Sequence, residues 1–288
     1  MKVLNKVSVV ILATLSTLGL AGSMTAFAAT TPSLGVAATY GILSDTYTNP
    51  IGATTINGDI GFNTGPAVLP LGGHPSVTYP NYGSAAPFAA AGVAQTAALA
   101  NLDSQACTYT FPVGDIDLST DISRPGPAVV GVYSPGVYCI DGVMSIGTTI
   151  TLDGIGTYIF RSTGALNAVA GSIVTLAGAP AASACDVFWT PNGATTLNAN
   201  STFIGTVIPV AQDITVLSTT SWIGRALTFG HTVTTPDADV SITVPICNAT
   251  LRVNKTVVNT GGGTRVAGDF PLFVNGGPVV SGVVNSFP

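Results

Sequence analysis

Three aspartates stand close together in the segment GDIDLSTDIS, at Asp115, Asp117 and Asp121. Paired carboxylates hydrolyse glycosidic bonds, and aspartates at alternate positions can ligate calcium. Neither chemistry is well matched here, because the chain has no glutamate and the segment lacks the spacing of an EF-hand loop. We therefore predict that these aspartates, like Asp59 in GDIG, accept hydrogen bonds from backbone N–H groups in turns.

The two histidines, His74 and His231, lie in segments rich in glycine, proline and threonine. Neither has a second histidine at the spacing typical of zinc proteases. The chain also lacks the G-x-S-x-G sequence of serine hydrolases and the P-loop of nucleotide-binding proteins. The sequence thus predicts no catalytic residue, no metal site and no cofactor, and it favours a protein that is not an enzyme.

Residues 1–28 have the three parts of a secretory signal peptide. Lys2 and Lys6 form a positively charged start, the apolar stretch VSVVILATLSTLGLAG follows, and AFA at 26–28 supplies a cleavage site after Ala28. An uncleaved membrane anchor is the alternative. We expect the mature protein to be secreted, with a further association to the cell surface left open.

Charged residues make up only 7% of the chain, and its formal net charge is −5. The eight basic residues are scattered, whereas a protein that binds nucleic acid needs a cluster of lysine and arginine to meet the phosphates. The composition therefore argues against nucleic acid as a partner.

The four cysteines are Cys107, Cys139, Cys185 and Cys247, an even number in a chain with an export signal. This arrangement suggests disulfides, and three pairings are possible. We prefer Cys107–Cys139 and Cys185–Cys247, because these bonds would clamp two separate loops at the ends of the domain. Buried free thiols are the alternative. No C-x-x-C spacing supports a zinc or redox site.

One helix and a series of short strands are expected to make up the domain. The alanine-rich segment at about 85–106 predicts the helix, which carries too few charges to be stable alone and must pack along something long. Five similar strand-and-turn segments begin at 147, 171, 193, 213 and 231, a period near twenty residues. Such a period is typical of a β-solenoid, in which each unit forms one coil. An antiparallel β-sandwich is the alternative.

Seven segments occur in an order that resembles one known family. They are LGVAATYGILS, INGDIGFNTG, SPGVYCI, TLDGIGTYIF, GSIVTLAGAPAASACDVFW, STFIGTVIP and WIGRAL, spread over 34–247. The chain is similar here to the large microbial ice-binding protein family. The resemblance implies an irregular, mainly β, three-faced right-handed β-solenoid with one long α-helix packed alongside. It also implies a discontinuous coil order, in which the N-terminal part caps C-terminal coils.

Strand alternation assigns threonines to one outward-facing column. If Leu152, Leu176, Leu197, Ile214, Val216, Val233 and Thr235 point inward, the threonines between them point outward. This set is Thr151, Thr175, Thr196, Thr215, Thr232 and Thr234. Asp213, Leu217 and His231 lie beside the column and make it less regular.

The family resemblance and the threonine column together predict a secreted antifreeze protein. Its solenoid domain, residues 29–248, is expected to adsorb to ice and to inhibit ice growth and recrystallisation. The alternative is an extracellular structural or adhesive protein without ice activity. A change in composition near residue 248 indicates that 249–288 begins a truncated β-rich module, weakly similar to immunoglobulin-like repeats of bacterial surface proteins. This tail is the candidate contact for a cell surface or polymer.

Overall fold

The structure, a computed structural model, describes most of the chain beyond the predicted signal peptide. The described residues are 29–72, 86–124, 129–178, 182–236, 238–247, 250–252, 264, 269, 271–274, 277–279 and 284–286. The predicted signal peptide at 1–28 and His74 lie outside the described residues.

In the part of the chain that the structure describes, eighteen strands form one sheet that winds around a shared core. The strands are β1 (Tyr40–Thr48), β2 (Thr55–Asn57), β3 (Asp59–Gly61), β4 (Tyr109–Thr110), β5 (Ile116–Asp117), β6 (Val132–Tyr133), β7 (Gly136–Ile140), β8 (Met144–Ile146), β9 (Thr149–Asp153), β10 (Tyr158–Ser162), β11 (Leu166–Ala168), β12 (Ile173–Ala177), β13 (Val187–Pro191), β14 (Thr195–Leu197), β15 (Thr202–Val207), β16 (Ile214–Val216), β17 (Ser221–Thr234) and β18 (Ser241–Thr243). The strand pairs within this described sheet are parallel, so the predicted solenoid is confirmed and the antiparallel sandwich is wrong.

Strand pairing divides the solenoid into three faces. Face A stacks β4, β7, β10 and β13, the end of β15, the middle of β17 and the start of β1. Face B stacks β5, β8, β11, β14 and β16 and the ends of β17 and β1. Face C stacks β6, β9 and β12, the starts of β15 and β17, and β18 and β2.

The coil order is discontinuous, as the family resemblance implied. The N-terminal strand β1 pairs with β17 on one side and with β3 on the other, and β2 pairs with β18. A bulge between Ser44 and Thr46 lets β1 turn from face A onto face B. The N-terminal segment therefore extends the C-terminal end of the solenoid.

The helix α1 (Ala86–Ser104) lies along face A, within the predicted range. Its buried Phe88, Ala91, Ala98 and Leu102 belong to the same apolar cluster as the outward side chains of face A, Leu43, Val137, Ile159, Phe188 and Leu227. Small alanines allow the helix to approach the sheet closely. Within the described residues, no helix is long and apolar enough to cross a membrane.

The side chain of Arg161 in β10 caps the C-terminal end of α1. Its guanidinium donates hydrogen bonds to the carbonyl oxygens of Leu102 at 3.2 Å, Asp103 at 2.5 Å and Gln105 at 3.0 Å. The last carbonyls of a helix have no partner within the helix, and the negative end of its dipole favours a cation. This side chain therefore fixes the helix to the sheet.

A stack of aromatic rings runs through the solenoid interior. Tyr138 stacks on Phe160 at 5.1 Å between ring centroids, and Phe160 stacks on Trp189 at 4.4 Å. Phe203 and Trp222 continue the series, at 5.2 Å from Trp189 to Phe203 and 5.6 Å from Phe203 to Trp222. Aromatic rings bury large apolar areas, and well-packed interiors resist deformation. The core is therefore a rigid support for the outer faces.

The two disulfides join the pairs preferred from the sequence, Cys107–Cys139 and Cys185–Cys247. Each has an arginine beside it. Arg161 lies 3.0 Å from the sulfur of Cys139, and Arg225 lies 3.5 Å from that of Cys247. Burial lowers the pKa of Arg225 to about 10, so this guanidinium is still charged at neutral pH.

The described part of the C-terminal tail has a different strand arrangement. Strand β19 (Thr250–Arg252) pairs antiparallel with β22 (Val284–Ser286), and β20 (Leu272–Val274) pairs antiparallel with β21 (Gly277–Val279). The module boundary at 248/249 stays a prediction.

Candidate functional site

The aspartates of GDIDLSTDIS bind backbone and hydroxyl groups of neighbouring turns. Asp117 Oδ1 accepts hydrogen bonds from Ser119 N at 2.9 Å, Ser119 Oγ at 2.7 Å and Gly147 N at 3.0 Å. Burial opposes ionisation of Asp117, but these hydrogen bonds outweigh it and hold its pKa below the ordinary value. Asp115 Oδ1 accepts from Val143 N at 2.8 Å, and Asp121 Oδ1 accepts from Ser123 Oγ. All three therefore tie turns together.

Metal clusters and cavities are the other features that could support chemistry. No cluster of three or more histidine, cysteine or acidic side chains in the described ranges is placed to hold a metal ion. A shallow cavity of about 300 Å³ lies beside the first disulfide and is lined in part by Arg161, Asp103 and Thr163. Because the guanidinium of Arg161 already binds the end of α1, this cavity offers no free cationic group.

Face B carries a continuous column of small polar side chains. Register-matched pairs connect its members from one coil to the next, in the order Asp117, Ser145, Asn167, Thr196, Thr215, Thr234 and Thr48. We call this set the long column. Adjacent members are about 4.8 Å apart, the spacing of neighbouring strands.

A second column runs parallel to the long column. Thr232 pairs with Thr46, which bridges to Thr64, and we call these three residues the short column. Thr232 and Thr234 are two residues apart on β17, as Thr46 and Thr48 are on β1, so each pair points outward with about 6.7 Å between its members. Seven threonines thus form a two-dimensional array across the C-terminal half of face B.

The six threonines predicted as one column lie on two different faces. Thr196, Thr215, Thr232 and Thr234 are on face B, whereas Thr151 and Thr175 pair with each other on face C. The predicted single column is therefore wrong for Thr151 and Thr175. A loop containing Cys185 lengthens their coil, so that Ile173 in β12 stacks on Thr202 and not on the next similar-looking segment.

The predicted inward positions support this array from below. Leu197, Ile214, Val216 and Val233 are buried in the core, so the alternation was predicted correctly. Tyr47 lies beneath Thr46 and Thr48, and its hydroxyl is 3.0 Å from Thr235 Oγ1. Burial raises the pKa of Tyr47 to about 12, so it stays a neutral part of the core.

Three array members, Thr46, Thr48 and Thr64, were missing from the prediction. They belong to the N-terminal segment, which is distant in sequence from the repeated strands but adjacent to β17 in the fold. The signal was present in the sequence as the T-x-T pattern of Thr46 and Thr48, which matches that of Thr232 and Thr234.

Two titratable side chains interrupt the edge of the array. Asp213 precedes Ile214, whose partner is Val233, and so lies beside Thr232. Asp213 Oδ1 accepts a hydrogen bond from Thr232 N at 2.8 Å and lies 4.0 Å from Nδ1 of His231. Leu217 follows β16 and is half-buried. The charge on face B is therefore confined to its margin and to Asp117 at one end.

Comparison with known proteins gives a consistent result. A family model described as Ice-binding-like matches residues 42–241. An ice-binding protein of Flavobacterium frigoris (strain PS1) is 31% identical over 190 residues, which cover 61% of this chain and 64% of that protein. The chain thus spans less than two thirds of that relative.

Solved structures share the fold. The crystal structure of an ice-binding protein from an Antarctic bacterium, Flavobacteriaceae, has a TM-score of 0.60 and 26% identity, over 80% of this chain and 51% of that chain. That of an ice-binding protein from the Antarctic ascomycete Antarctomyces psychrotrophicus has a TM-score of 0.57 and 22% identity, over 76% of this chain and 100% of that chain. At the latter identity the likeness concerns the fold alone.

Proposed function

The chain belongs to the ice-binding-like family, and from this premise we propose that it is a secreted antifreeze protein that adsorbs to ice through face B. The observation that carries the proposal is the array of seven threonines in two register-matched columns. Face A is covered by α1 and cannot contact ice, whereas face B is open to solvent and is uncharged in its centre.

The chemistry of threonine suits a lattice of water. Ice offers ordered water molecules and no charge, so a long charged side chain would lose rotamer entropy on docking without gaining an ion pair. Threonine has a stiff χ1, one methyl group and one hydroxyl, and its position on a rigid strand is fixed before binding. Little ordering entropy is then lost when first-shell waters between the side chains join the lattice.

Many weak contacts on a preorganised plane would hold the protein on the ice surface. Adsorbed molecules would force the ice front to grow as curved bulges between them, which opposes further growth. No covalent chemistry is required, so we propose a binding protein and not an enzyme. The partner is ice or an ordered water surface, and no cofactor takes part.

The location and the role of the tail are part of the proposal. The predicted signal peptide and the two disulfides support a secreted protein, since disulfides persist in oxidising compartments. We propose that 249–288 contacts a cell surface or polymer. This contact would be additional to ice binding by the solenoid.

The function is tested by measuring thermal hysteresis and inhibition of ice recrystallisation with the chain that begins at Ala29. We expect a freezing point below the melting point and small ice grains that stop coarsening. Bovine serum albumin at the same concentration serves as the control. Ice growth indistinguishable from that in albumin would refute the proposal.

Removing the charge at the margin of face B should improve activity. Asp213→Thr would extend the short column by one coil, and Asp213→Asn would remove the charge while keeping the side-chain size and an acceptor for Thr232 N. We expect higher hysteresis than wild type from both variants, and the larger increase from Asp213→Thr. Hysteresis that falls or stays constant in both variants, with unchanged melting temperatures, would contradict the expectation that the charge of Asp213 weakens ice binding.

A further inference from the structure

A cavity of about 290 Å³ lies where faces C and A meet, at the end of the solenoid where β2 pairs with β18. Its lining includes no residue of face B. The walls come from segments that are distant in sequence, the N-terminal segment before and after β1, the middle of β17, and the chain that follows β18. They include Thr39, Asn57, Arg225, Val244, Ile246 and Cys247.

Arg225 brings a buried positive charge to the wall of this cavity. Only 2% of its surface is exposed, and the ion pairs among the described residues, Asp121 with Arg124 and Asp213 with His231, do not include it. Its pKa is lowered by burial but is still about 10, so the guanidinium is charged at neutral pH. An ionised group away from water is costly unless a counter-ion or a full set of hydrogen bonds compensates for the lost hydration.

The hydrogen bonds of this guanidinium leave one of its nitrogens weakly paired. Nε donates to Ala38 O at 2.7 Å, and Nη1 donates to Thr206 Oγ1 at 3.2 Å. Nη2 has the sulfur of Cys247, at 3.5 Å, as its acceptor among the described residues, and sulfur is a weak acceptor. Arg161, beside the other disulfide, differs because it binds three carbonyl oxygens. Arg225 therefore has donor capacity left on the side of Cys247, which lines the cavity.

Another part of the lining is apolar and open to solvent. Ile246 is 91% exposed, and Val244 and Pro245 precede it in the wall. Covering an exposed aliphatic side chain with an alkyl group removes apolar surface from water and is favourable. The planar fork of a guanidinium matches a carboxylate, to which it can donate two parallel hydrogen bonds. The cavity thus combines a buried cation with an uncovered apolar wall.

We infer that this cavity binds a small organic carboxylate, which pairs with Arg225 and packs a short alkyl chain against Val244 and Ile246. The volume of about 290 Å³ is at the lower limit for pockets that hold drug-sized molecules, so the ligand has only a few carbon atoms. The ligand supplies the counter-ion that the described side chains do not supply. This site is separate from the proposed ice contact, and neither depends on the other.

Binding at this position should stabilise the fold. Thr39 belongs to the N-terminal segment and Val244 to the C-terminal end of the domain, and Arg225 lies between them in the cavity wall. These walls come together only in the folded chain, so a ligand that contacts all of them binds the folded state alone. Such a ligand raises the free energy of unfolding in proportion to the logarithm of its concentration above the dissociation constant.

The test is thermal unfolding of the chain that begins at Ala29, with sodium butyrate titrated against sodium chloride at constant ionic strength. Asn57→Asp adds a carboxylate to the lining and keeps the side-chain size, so its charge repels a second carboxylate and offers Arg225 a counter-ion within the chain. Arg225→Lys keeps the positive charge and removes the planar fork. Asn200→Asp is the matched control for the added charge, since Asn200 is exposed at the edge between faces B and C.

We expect butyrate at ten times its dissociation constant to raise the melting temperature of wild type and Asn200→Asp by about 3–6 °C. Acetate, with a shorter alkyl chain, should raise it less. Asn57→Asp and Arg225→Lys should show no rise beyond that in chloride. If Arg225→Lys does not fold, Asn57→Asp decides the outcome alone. The inference is overturned if butyrate shifts wild type no more than chloride does, or if Asn57→Asp keeps the wild-type response.

Discussion

Replacement of Thr215 by tyrosine is expected to weaken attachment to ice about tenfold, the factor in an equilibrium constant produced by a loss of about 1.4 kcal/mol of binding free energy, and thereby to lower thermal hysteresis. Thr215 lies in the middle of the long column, between Thr196 and Thr234 on the neighbouring coils. A tyrosine ring at this position would project above the plane and hold the adjacent threonines away from the ice surface. The measurement is hysteresis at equal protein concentration.

The control for this change is Thr96→Tyr, which makes the same substitution on α1, away from face B. Thr96 is exposed on α1, where its hydroxyl donates to Gly92 O at 2.9 Å within the helix. We expect this variant to keep wild-type hysteresis. Equal loss in both variants, or no loss in either, would contradict the assignment of the ice-binding surface to face B.

Gly224→Ala is expected to destabilise the protein by about 3 kcal/mol, because it overpacks the solenoid at the junction of faces C and A. A Cβ atom on Gly224 would overlap the carbonyl oxygen of Gly205 on the neighbouring coil and the indole nitrogen of Trp222. This carbonyl accepts the hydrogen bond from Trp222 Nε1 at 2.8 Å, so the clash would also disturb the tryptophan in the core. The melting temperature should fall by about 6–12 °C.

Gly230→Ala measures the cost of an unfavourable backbone conformation without the steric clash that is present at Gly224. Gly230 has φ near +90°, but a Cβ atom there meets nothing within 4 Å. We expect a cost of only about 1 kcal/mol, from the backbone conformation alone. A loss of stability in Gly230→Ala that equals or exceeds that of Gly224→Ala would show that the coil contact at Gly224 is not what requires glycine.

The solenoid and its inward positions could be predicted because they depend on local patterns. Alternation along single strands places Ile214 and Val216 in the core and Thr215 outside, and this holds whatever lies on the neighbouring coils. The helix at Ala86–Ser104 could be predicted equally well, since an alanine-rich segment strongly favours the helical conformation.

The assignment of threonines to faces depends on coil length, which the strands alone do not reveal. Each coil contributes a strand or part of a strand to each of three faces, so a segment that resembles its predecessor can belong to a different face. The loop with Cys185 displaces the later strands in this way, and Thr175 and Thr196 consequently lie on different sides. Local similarity carries no information on this displacement.

The N-terminal part of the array was missed for a related reason. Thr46 and Thr48 precede the repeated strands by about a hundred residues, and only the pairing of β1 with β17 brings them beside Thr232 and Thr234. The expected discontinuous coil order indicated that the N-terminal segment would lie there, but it did not fix the register. A one-residue shift would have turned Tyr47 outward and both threonines inward.

The central claim is that the protein attaches to ice through the threonine array of face B. The most direct measurement is the fraction of protein that enters slowly growing ice from a dilute solution, for wild type, Thr96→Tyr and Thr215→Tyr. We predict that wild type and Thr96→Tyr are enriched in the ice and that Thr215→Tyr stays mostly in the liquid. Wild-type protein excluded from the ice, or Thr215→Tyr incorporated as strongly as wild type, would contradict the claim.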